Sequence, residues 1–173
     1  MALTEHTETT EDFIDQAHAI RQRGGRAVHA ADTAGLARVA RLAAFLGRDL
    51  AEICVHAGLK PGQFHVLAEL RGRDPLPMSA SELARATLVT SGGMTPVLDQ
   101  LEARGLILRQ MDSEDRRARR ISITEKGRST INRALDQQIA RHRALNAALL
   151  LEERETLSAI LRKLLLVVEP SAD

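Results

Sequence analysis

Four arginines in five positions make residues 116–120 the stretch of this sequence with the most distinctive chemistry. They follow an acidic segment that ends at Asp115, and they are Arg116, Arg117, Arg119 and Arg120. Guanidinium groups bind phosphate oxygens bidentately, and they are attracted into the narrow, negative minor groove of A·T-rich DNA. The alternative is a charged turn that only water solvates. We expect this cluster to contact DNA.

A second candidate site is a run of small polar residues just before an apolar helix pattern. It contains Thr90, Ser91, Gly92 and Thr95. Glycines allow backbone N–H groups to approach phosphate, and hydroxyl groups can reach the edges of bases. The alternative is a helix start that is merely capped. Pro96 falls within the first two turns of this predicted helix, where a kink is tolerable.

Both candidates are placed by the elements around them. Ser79 and Glu82 have the spacing of a capping box, which predicts the start of a short helix. A turn and a second helix follow, and Gly105 is expected to end that helix. Two β-type runs, 106–111 and 119–124, come next. Two helices followed by a hairpin with an arginine-rich tip predict a winged helix-turn-helix, in which the hairpin is the wing.

This region resembles the MarR family of dimeric bacterial transcription regulators. The resemblance covers most of the chain beyond residue 35, and its matching positions are Leu83-Ala84, Leu101-Glu102, Gly105-Leu106-Ile107, Asp112, Asp115-Arg116-Arg117, Thr124 and Gly127. It implies that Arg117 enters the minor groove from the wing tip and that Asp115 braces it. The complete set of predicted DNA contacts is Ser79, Thr90, Ser91, Gly92, Thr95, Asp115, Arg116, Arg117, Arg119 and Arg120.

The predicted fold is mainly α, a winged helix-turn-helix with a two-stranded β wing that is flanked by dimerisation helices. Residues 1–11 carry several acids and predict a disordered tail. We assign residues 12–58 to N-terminal helices of the dimerisation layer, 59–127 to the DNA-binding domain and 128–173 to C-terminal dimerisation helices. The extra helix at 12–23 lies outside the minimal family pattern.

Apolar residues with alternating spacings of three and four predict a long helix before Gly58. They are Leu36, Val39, Ala43, Leu46, Leu50, Ile53 and Ala57. This spacing is typical of a heptad seam between two helices. One interpretation is an amphipathic helix packed on its own core. The other, which the resemblance favours, is a seam between two copies of the chain.

Composition narrows the class of protein. The chain has 173 residues, a net charge of +1, one cysteine and 44% hydrophobic residues, of which few are aromatic. A single cysteine excludes an intrachain disulfide and suits a reducing cytoplasm. No apolar run is long enough for a membrane span. The six histidines are scattered without metal-ligand spacing, and no catalytic constellation is found. We expect a cytoplasmic protein that is not an enzyme and needs no cofactor or metal.

The resemblance also implies a small effector, often an aromatic carboxylate or phenol, that weakens binding to a pseudopalindromic operator. We expect His65, Phe45, Phe64 and Arg109 to contact it. Alternatively, His65 is an ordinary core or surface histidine and Arg109 contacts phosphate.

Two other functions stay open at this point. Cys54 could sense oxidants, as a cysteine does in the peroxide-sensing branch of the family, although this chain has no tyrosine to support it. A cysteine on an apolar stretch is more often buried and inert. The urate-responsive branch is also similar at residues 90–95, but the tryptophan that it uses is absent.

The second open function is that of a winged-helix module that binds protein and not DNA.

Overall fold

The computed structural model describes residues 11–23, 30–87, 89–111 and 119–169. Its elements confirm a mainly helical fold with one two-stranded sheet: α1 (Phe13–Arg23), α2 (Ala30–His56), α3 (Pro61–Arg73), α4 (Ala80–Thr87), α5 (Ser91–Ala103), β1 (Ile107–Met111), β2 (Arg119–Ile123), α6 (Glu125–Asn146) and α7 (Leu151–Val168). The chain divides into two compact units, residues 1–48 and 49–173. In the part that the structure describes, no helix is both long and apolar enough to cross a membrane.

The core of the second unit is built from the helices and strands of the predicted winged helix. Its most deeply buried side chains, all at 0% exposure, are Val66, Leu67, Met78, Leu83, Leu101, Ile107 and Ile131. Ile131 and Ala134 come from the first half of α6, so this core continues past the wing into that helix. Burying such side chains is the main force that stabilises the unit.

The wing is an antiparallel pair in which Ile107 lies opposite Ile123 and Met111 lies opposite Arg119. Met78 adds an isolated antiparallel bridge to Ile121, with N–H to carbonyl distances of 2.9 and 2.7 Å. The sequence did not predict this bridge, because one extended residue between Pro77 and Ser79 leaves no periodic pattern. The bridge ties the segment before α4 to the base of the wing.

Two predicted helix ends are confirmed at glycines with a positive φ. Gly58 has φ of 64° and Gly105 has φ of 66°, a region in which residues with a Cβ are strained. Pro61 begins α3, at a position that favours proline because its missing N–H has no partner there. The acidic tail predicted at 1–11 falls, except for Glu11, outside the described residues.

The first turn of α6 is bound to the turn that follows α5. The Thr124 N–H donates to the Leu106 carbonyl at 3.1 Å, and the Thr124 hydroxyl donates to the Gly105 carbonyl at 2.8 Å. The Lys126 ammonium donates to the Arg104 carbonyl at 2.8 Å. The same Thr124 oxygen accepts the Gly127 N–H at 3.0 Å and so caps the helix.

A bidentate ion pair also connects α6 with the segment after α3. Arg128 donates from Nε and Nη2 to the two carboxylate oxygens of Asp74 at 2.6 and 2.8 Å. These hydrogen bonds hold the pKa of the Asp74 carboxyl below its ordinary value. Arg71 adds a bond to Asn132 at 2.9 Å. The start of α6 is therefore part of the same packed body as α3.

In the first unit, α1 is held by two ion pairs, from Arg38 to Asp12 at 2.6 Å and to Asp15 at 2.7 Å. Phe13 and Ile20 are 55% and 67% exposed, whereas His18 is buried.

The long apolar series of α2 changes in burial along its length. In the first unit, Leu36 and Val39 are 58% and 41% exposed. In the second unit, Leu50 packs against the core and Ile53 is 2% exposed within it. Packing on its own core therefore accounts for the C-terminal end of the series alone.

Candidate nucleic-acid interface

The capping box predicted at the start of α4 is present. The Ser79 N–H donates to Glu82 Oε2 at 2.7 Å, and the Glu82 N–H donates to Ser79 Oγ at 3.2 Å. The bond from the Ser79 backbone, followed by its hydroxyl and by the charge of Arg120, holds the pKa of Glu82 below its ordinary value. Ser79 therefore orders the helix that precedes the predicted DNA-reading helix.

The N-terminus of α5 presents small residues to the surface. Thr90 is the N-cap, and its hydroxyl oxygen accepts the Gly93 N–H at 3.2 Å. Gly92 and Thr95 are exposed, and a Cβ on Gly92 would have no neighbour within 4 Å. Ser91 opens the helix. The start of α5 thus offers backbone N–H groups and the exposed Thr95 hydroxyl, which are the groups that phosphate and base-edge contacts require.

The opposite side of α5 fixes the helix in the core. Met94, Leu98 and Leu101 are buried, as the sequence pattern predicts. Gln63 on α3 is also buried, and its Nε2 donates to Gln100 Oε1 at 3.0 Å. The apolar contacts and the hydrogen bond between the Gln63 and Gln100 side chains hold α5 in place. The exposed turn at its start therefore has a defined orientation.

Arg109 joins the predicted reading helix to the wing. Its Nη2 lies 2.7 Å from Asp99 Oδ1, and its Nε lies 3.4 Å from Glu102 Oε2 without hydrogen-bond geometry. The Arg109 side chain is 16% exposed. It neutralises two α5 carboxylates that would otherwise repel phosphate, so Arg109 is placed to position α5 against β1.

Sequence reasoning missed this tie, although one signal was present. Asp99 and Glu102 are three positions apart and so share one side of α5. Two acids on one side of a helix attract a cation, and the structure shows that this cation is Arg109 on the next element.

The two wing arginines that the structure describes have different surroundings. Arg119 opens β2 and is exposed. Arg120 donates to Glu82 at 3.2 Å and so links β2 with α4. Asp115, Arg116 and Arg117 lie outside the described residues. The predicted DNA contacts of all five remain predictions.

The predicted effector residues are placed in both units. Phe45 lies in the first unit with the Arg48 guanidinium 4.3 Å from its ring centre. In the second unit, Phe64 is 2% exposed and is edge-on to the exposed His65 ring at 5.7 Å. Arg109 is occupied by the two carboxylates described above. The role of these residues in effector binding stays a prediction.

Cys54 is 1% exposed, and burial raises the pKa of its thiol. A buried thiol with a raised pKa forms little of the thiolate that reacts with peroxides. This environment supports the structural interpretation of Cys54 over the oxidant-sensing one. Within the ranges that the structure describes, no three His, Cys, Asp or Glu residues are grouped as a metal site would need.

The sequence model of the MarR family matches residues 59–118, from the end of α2 into the wing. The HTH-type transcriptional regulator PecS of Dickeya dadantii (strain 3937) is 29% identical over 124 residues, which cover 71% of this chain and 75% of PecS. An uncharacterized HTH-type transcriptional regulator of Bacillus cereus is 39% identical over 82 residues. That match covers 47% of this chain and about half, 52%, of the Bacillus protein.

Solved structures with this fold include one bound to DNA. The transcriptional repressor CouR, bound to a 23-mer DNA duplex, superposes with a TM-score of 0.67 at 26% identity, over 80% of this chain and 99% of CouR. BpsR of Bordetella bronchiseptica, whose DNA binding is regulated by 6-hydroxynicotinic acid, superposes with a TM-score of 0.67 at 22% identity, over 80% of this chain and 96% of BpsR. The likeness to BpsR concerns the fold alone.

Proposed function

We propose that this chain is a MarR-family transcriptional regulator, a homodimeric repressor that binds a pseudopalindromic operator and is released by a small aromatic or phenolic effector. The relatives that it matches are transcriptional regulators and not enzymes. The observation that carries the proposal is the exposed first turn of α5, held in a fixed orientation by its buried opposite side. Because its target would be chromosomal DNA, we place the protein in the cytoplasm.

DNA reading would use two elements at once. The start of α5 enters the major groove, where the Thr95 hydroxyl can reach base edges and the backbone at Gly92 can approach phosphate. The wing arginines approach the adjacent minor groove, with Arg117 inserted and Arg119 on phosphate. Ser79 and Thr90 cap the starts of α4 and α5 and so order the contacting turns, and Ser91 begins α5.

The test is selection of preferred sites from random DNA. Arg117→Ala should cost about 1–3 kcal/mol and reduce the preference for A·T at the outer flanks of the site. Thr95→Ala should instead relax selection nearer each half-site centre. Arg143→Ala, at the far end of α6, is the matched control and should bind as wild type does. Equal affinity and flank preference for Arg117→Ala and wild type would contradict the wing model.

Salt dependence separates DNA binding from the alternative of a protein-binding module. Phosphate contacts release counterions, so affinity for the operator should fall steeply as salt is raised. A protein that binds genomic fragments weakly and with little salt dependence would favour the alternative function.

Dimerisation is supported by the apolar surface that the single chain leaves exposed. None of the residues of α7 is buried, although Ile160, Leu164 and Leu165 are large and apolar. Burying apolar surface of this kind against a second copy of the chain would stabilise a dimer. A two-fold dimer would present two α5 helices to half-sites about one helical turn apart, which is why we propose a pseudopalindrome.

Sedimentation tests the dimer directly. At micromolar concentration the wild-type chain should sediment at twice 18.9 kDa. Leu164→Glu introduces a charge into the exposed apolar side of α7 and should dissociate or unfold the protein. Lys163→Glu introduces the same charge at the neighbouring position, where a polar residue stands already, and should remain dimeric. A folded wild-type monomer would refute the dimer.

An effector response is implied by the resemblance to the MarR family, whose members often respond to an aromatic carboxylate or a phenol. We propose that such a compound weakens operator binding here, with Phe45, Phe64, His65 and Arg109 as the predicted contacts. Arg109→Ala should blunt the response if its guanidinium pairs with the carboxylate. If the variant loses affinity for DNA but keeps the full response, Arg109 acts on the DNA-reading side alone.

A further inference from the structure

One buried amide, that of Gln63, joins the start of α3 to the second half of α5. Gln63 is 3% exposed. Its Oε1 accepts the Lys60 N–H at 3.0 Å, and its Nε2 donates to Gln100 Oε1 at 3.0 Å. Arg104 Nη1 also donates to the Gln63 oxygen at 3.3 Å. The oxygen and the nitrogen of this amide are therefore both in use.

The contact with Lys60 alone would make Gln63 a helix cap. Gln63 is the third residue of α3, a position from which a glutamine side chain reaches back to the N–H that precedes the helix. Such a cap needs only an acceptor, which a glutamate supplies as well. The bond to Gln100 requires a donor, and this bond leaves α3 and reaches α5.

The two partners on α5 stand on one side of that helix, because Gln100 and Arg104 are four positions apart. The Arg104 side chain also passes near the turn after α2, since a Cβ on Gly58 would lie 3.7 Å from Arg104 Nη2. On another side of α5, Asp99 and Glu102 face Arg109 of the wing. Polar contacts therefore hold the second half of α5 from two directions.

Apolar contacts by themselves set the rotation of α5 about its axis only loosely. Burial of Met94, Leu98 and Leu101 stabilises the helix, but this force has no direction. Hydrogen bonds, in contrast, weaken steeply when their geometry changes. A rotation of about 20° moves a side-chain tip that lies about 5 Å from the helix axis by about 1.7 Å. This movement exceeds the range of about 0.5 Å within which hydrogen-bond distances fall, so it would break a contact with a base.

We propose that Gln63 is a positioning residue for DNA reading: through Gln100 and Arg104 it fixes the rotation of α5, and with it the bases that Thr95 reaches. Gln63 is buried and acts only through α5. The inference rests on the proposed DNA-binding function, which it deepens by assigning a residue that determines specificity from outside the DNA surface.

The decisive variant is Gln100→Ala, which removes the α5 partner of Gln63 and leaves the cap of α3 intact. Gln100 is exposed and alanine is the better helix former, so the variant should be as stable in urea as wild type. In selection from random DNA it should lose base preference near each half-site centre. It should bind the wild-type operator about tenfold more weakly, within the range expected for one lost base contact. Gln137→Ala makes the same change at an exposed position of α6 and should bind and select as wild type does.

A double-mutant cycle separates positioning from a direct contact of Gln100 with DNA. Gln63→Met breaks the same bond from the buried end. If the bond positions α5, the double variant should bind about as tightly as the weaker of the two single variants. Losses of affinity that multiply would show that Gln100 touches DNA itself and would overturn the proposal. If circular dichroism shows that Gln63→Met is unfolded, Gln100→Ala and hydrogen exchange decide.

Hydrogen exchange on the free protein tests the bond without DNA. The backbone N–H groups of residues 101–104 should exchange at least about threefold faster in Gln100→Ala than in wild type or Gln137→Ala. Exchange at the wild-type rate, or wild-type site selection by Gln100→Ala, refutes the role of Gln63. Failure of the wild-type chain to select any operator would refute the repressor model, while hydrogen exchange would still decide whether Gln63 positions α5.

Discussion

Gly127 offers a sharp test of how α6 is joined to the winged helix, because no side chain fits there. A Cβ at this position would overlap the Leu106 carbonyl oxygen and would lie 2.8 Å from Ile123 Cγ1. The Leu106 oxygen cannot move away freely, since it accepts the Thr124 N–H at 3.1 Å. Overpacking against a fixed backbone costs about 3 kcal/mol, the upper end of the usual range.

Gly127→Ala should therefore destabilise the protein despite its better helix propensity. Alanine regains roughly 0.5–1 kcal/mol in a helix, which leaves a net loss of about 2 kcal/mol. With a urea dependence of roughly 2 kcal/mol per molar, the unfolding midpoint should fall by about 1 M. Protein concentration must be held constant, because association shifts apparent stability.

Gly72→Ala is the matched control, since it lies in α3 and a Cβ there would meet nothing within 4 Å. Its midpoint should stay the same or rise by up to about 0.5 M. Circular dichroism during urea titration measures both variants. If Gly127→Ala unfolds at the wild-type midpoint while Gly72→Ala behaves as expected, the close approach of α6 to the turn after α5 does not constrain the fold.

Three further predictions concern an ion pair, a cap and the thiol. Arg128 depresses the pKa of Asp74 in the folded state, so the Asp74 carboxylate contributes stability above its ordinary pKa of 3.8. This stability is lost as pH falls through the lower pKa of the folded state. Asp74→Asn should accordingly be less stable than wild type in thermal unfolding at pH 7, and the difference should shrink below pH 4. Thr90→Ala removes the acceptor of the Gly93 N–H and should lower the free energy of unfolding by about 1 kcal/mol, whereas Thr90→Ser should restore it. Cys54→Ser should leave the response of operator binding to peroxide unchanged in a gel-shift assay; loss of a peroxide-triggered release in the variant would instead support the oxidant-sensing alternative.

The sequence predicted well those features that local chemistry determines. The Ser79–Glu82 box, the glycines at 58 and 105 and the two wing strands each follow from a short pattern, and each is present in the structure. The start of α5 near Thr90 was likewise indicated by residue types, which left open whether the turn contacts DNA or is merely capped.

The features that the sequence predicted poorly depend on contacts between distant parts of the chain. Neither the bridge from Met78 to Ile121 nor the pair of Asp74 with Arg128 leaves a periodic signal, since each joins single residues more than forty positions apart. The ion pairs of Arg38 with Asp12 and Asp15 likewise join two helices without any periodic signal.

For the candidate site, spacing indicated which residues stand near the predicted DNA surface but not what each side chain already binds. In a sequence, the paired arginines Arg109 and Arg120 cannot be told from arginines that are exposed to water. Only the structure shows that Arg109 meets Asp99 and that Arg120 meets Glu82.

The three bonds that join Thr124 and Lys126 to the turn after α5 have a mechanical consequence. They fix one end of a helix of 22 residues to the C-terminal end of α5. Such a helix is about 33 Å long, because each residue adds about 1.5 Å. Because the core also buries Ile131 and Ala134, the first half of α6 cannot tilt by itself. A lateral force at Asn146 would therefore act on the whole winged helix as a torque, through a lever arm of about 18 Å between Ala134 and Asn146.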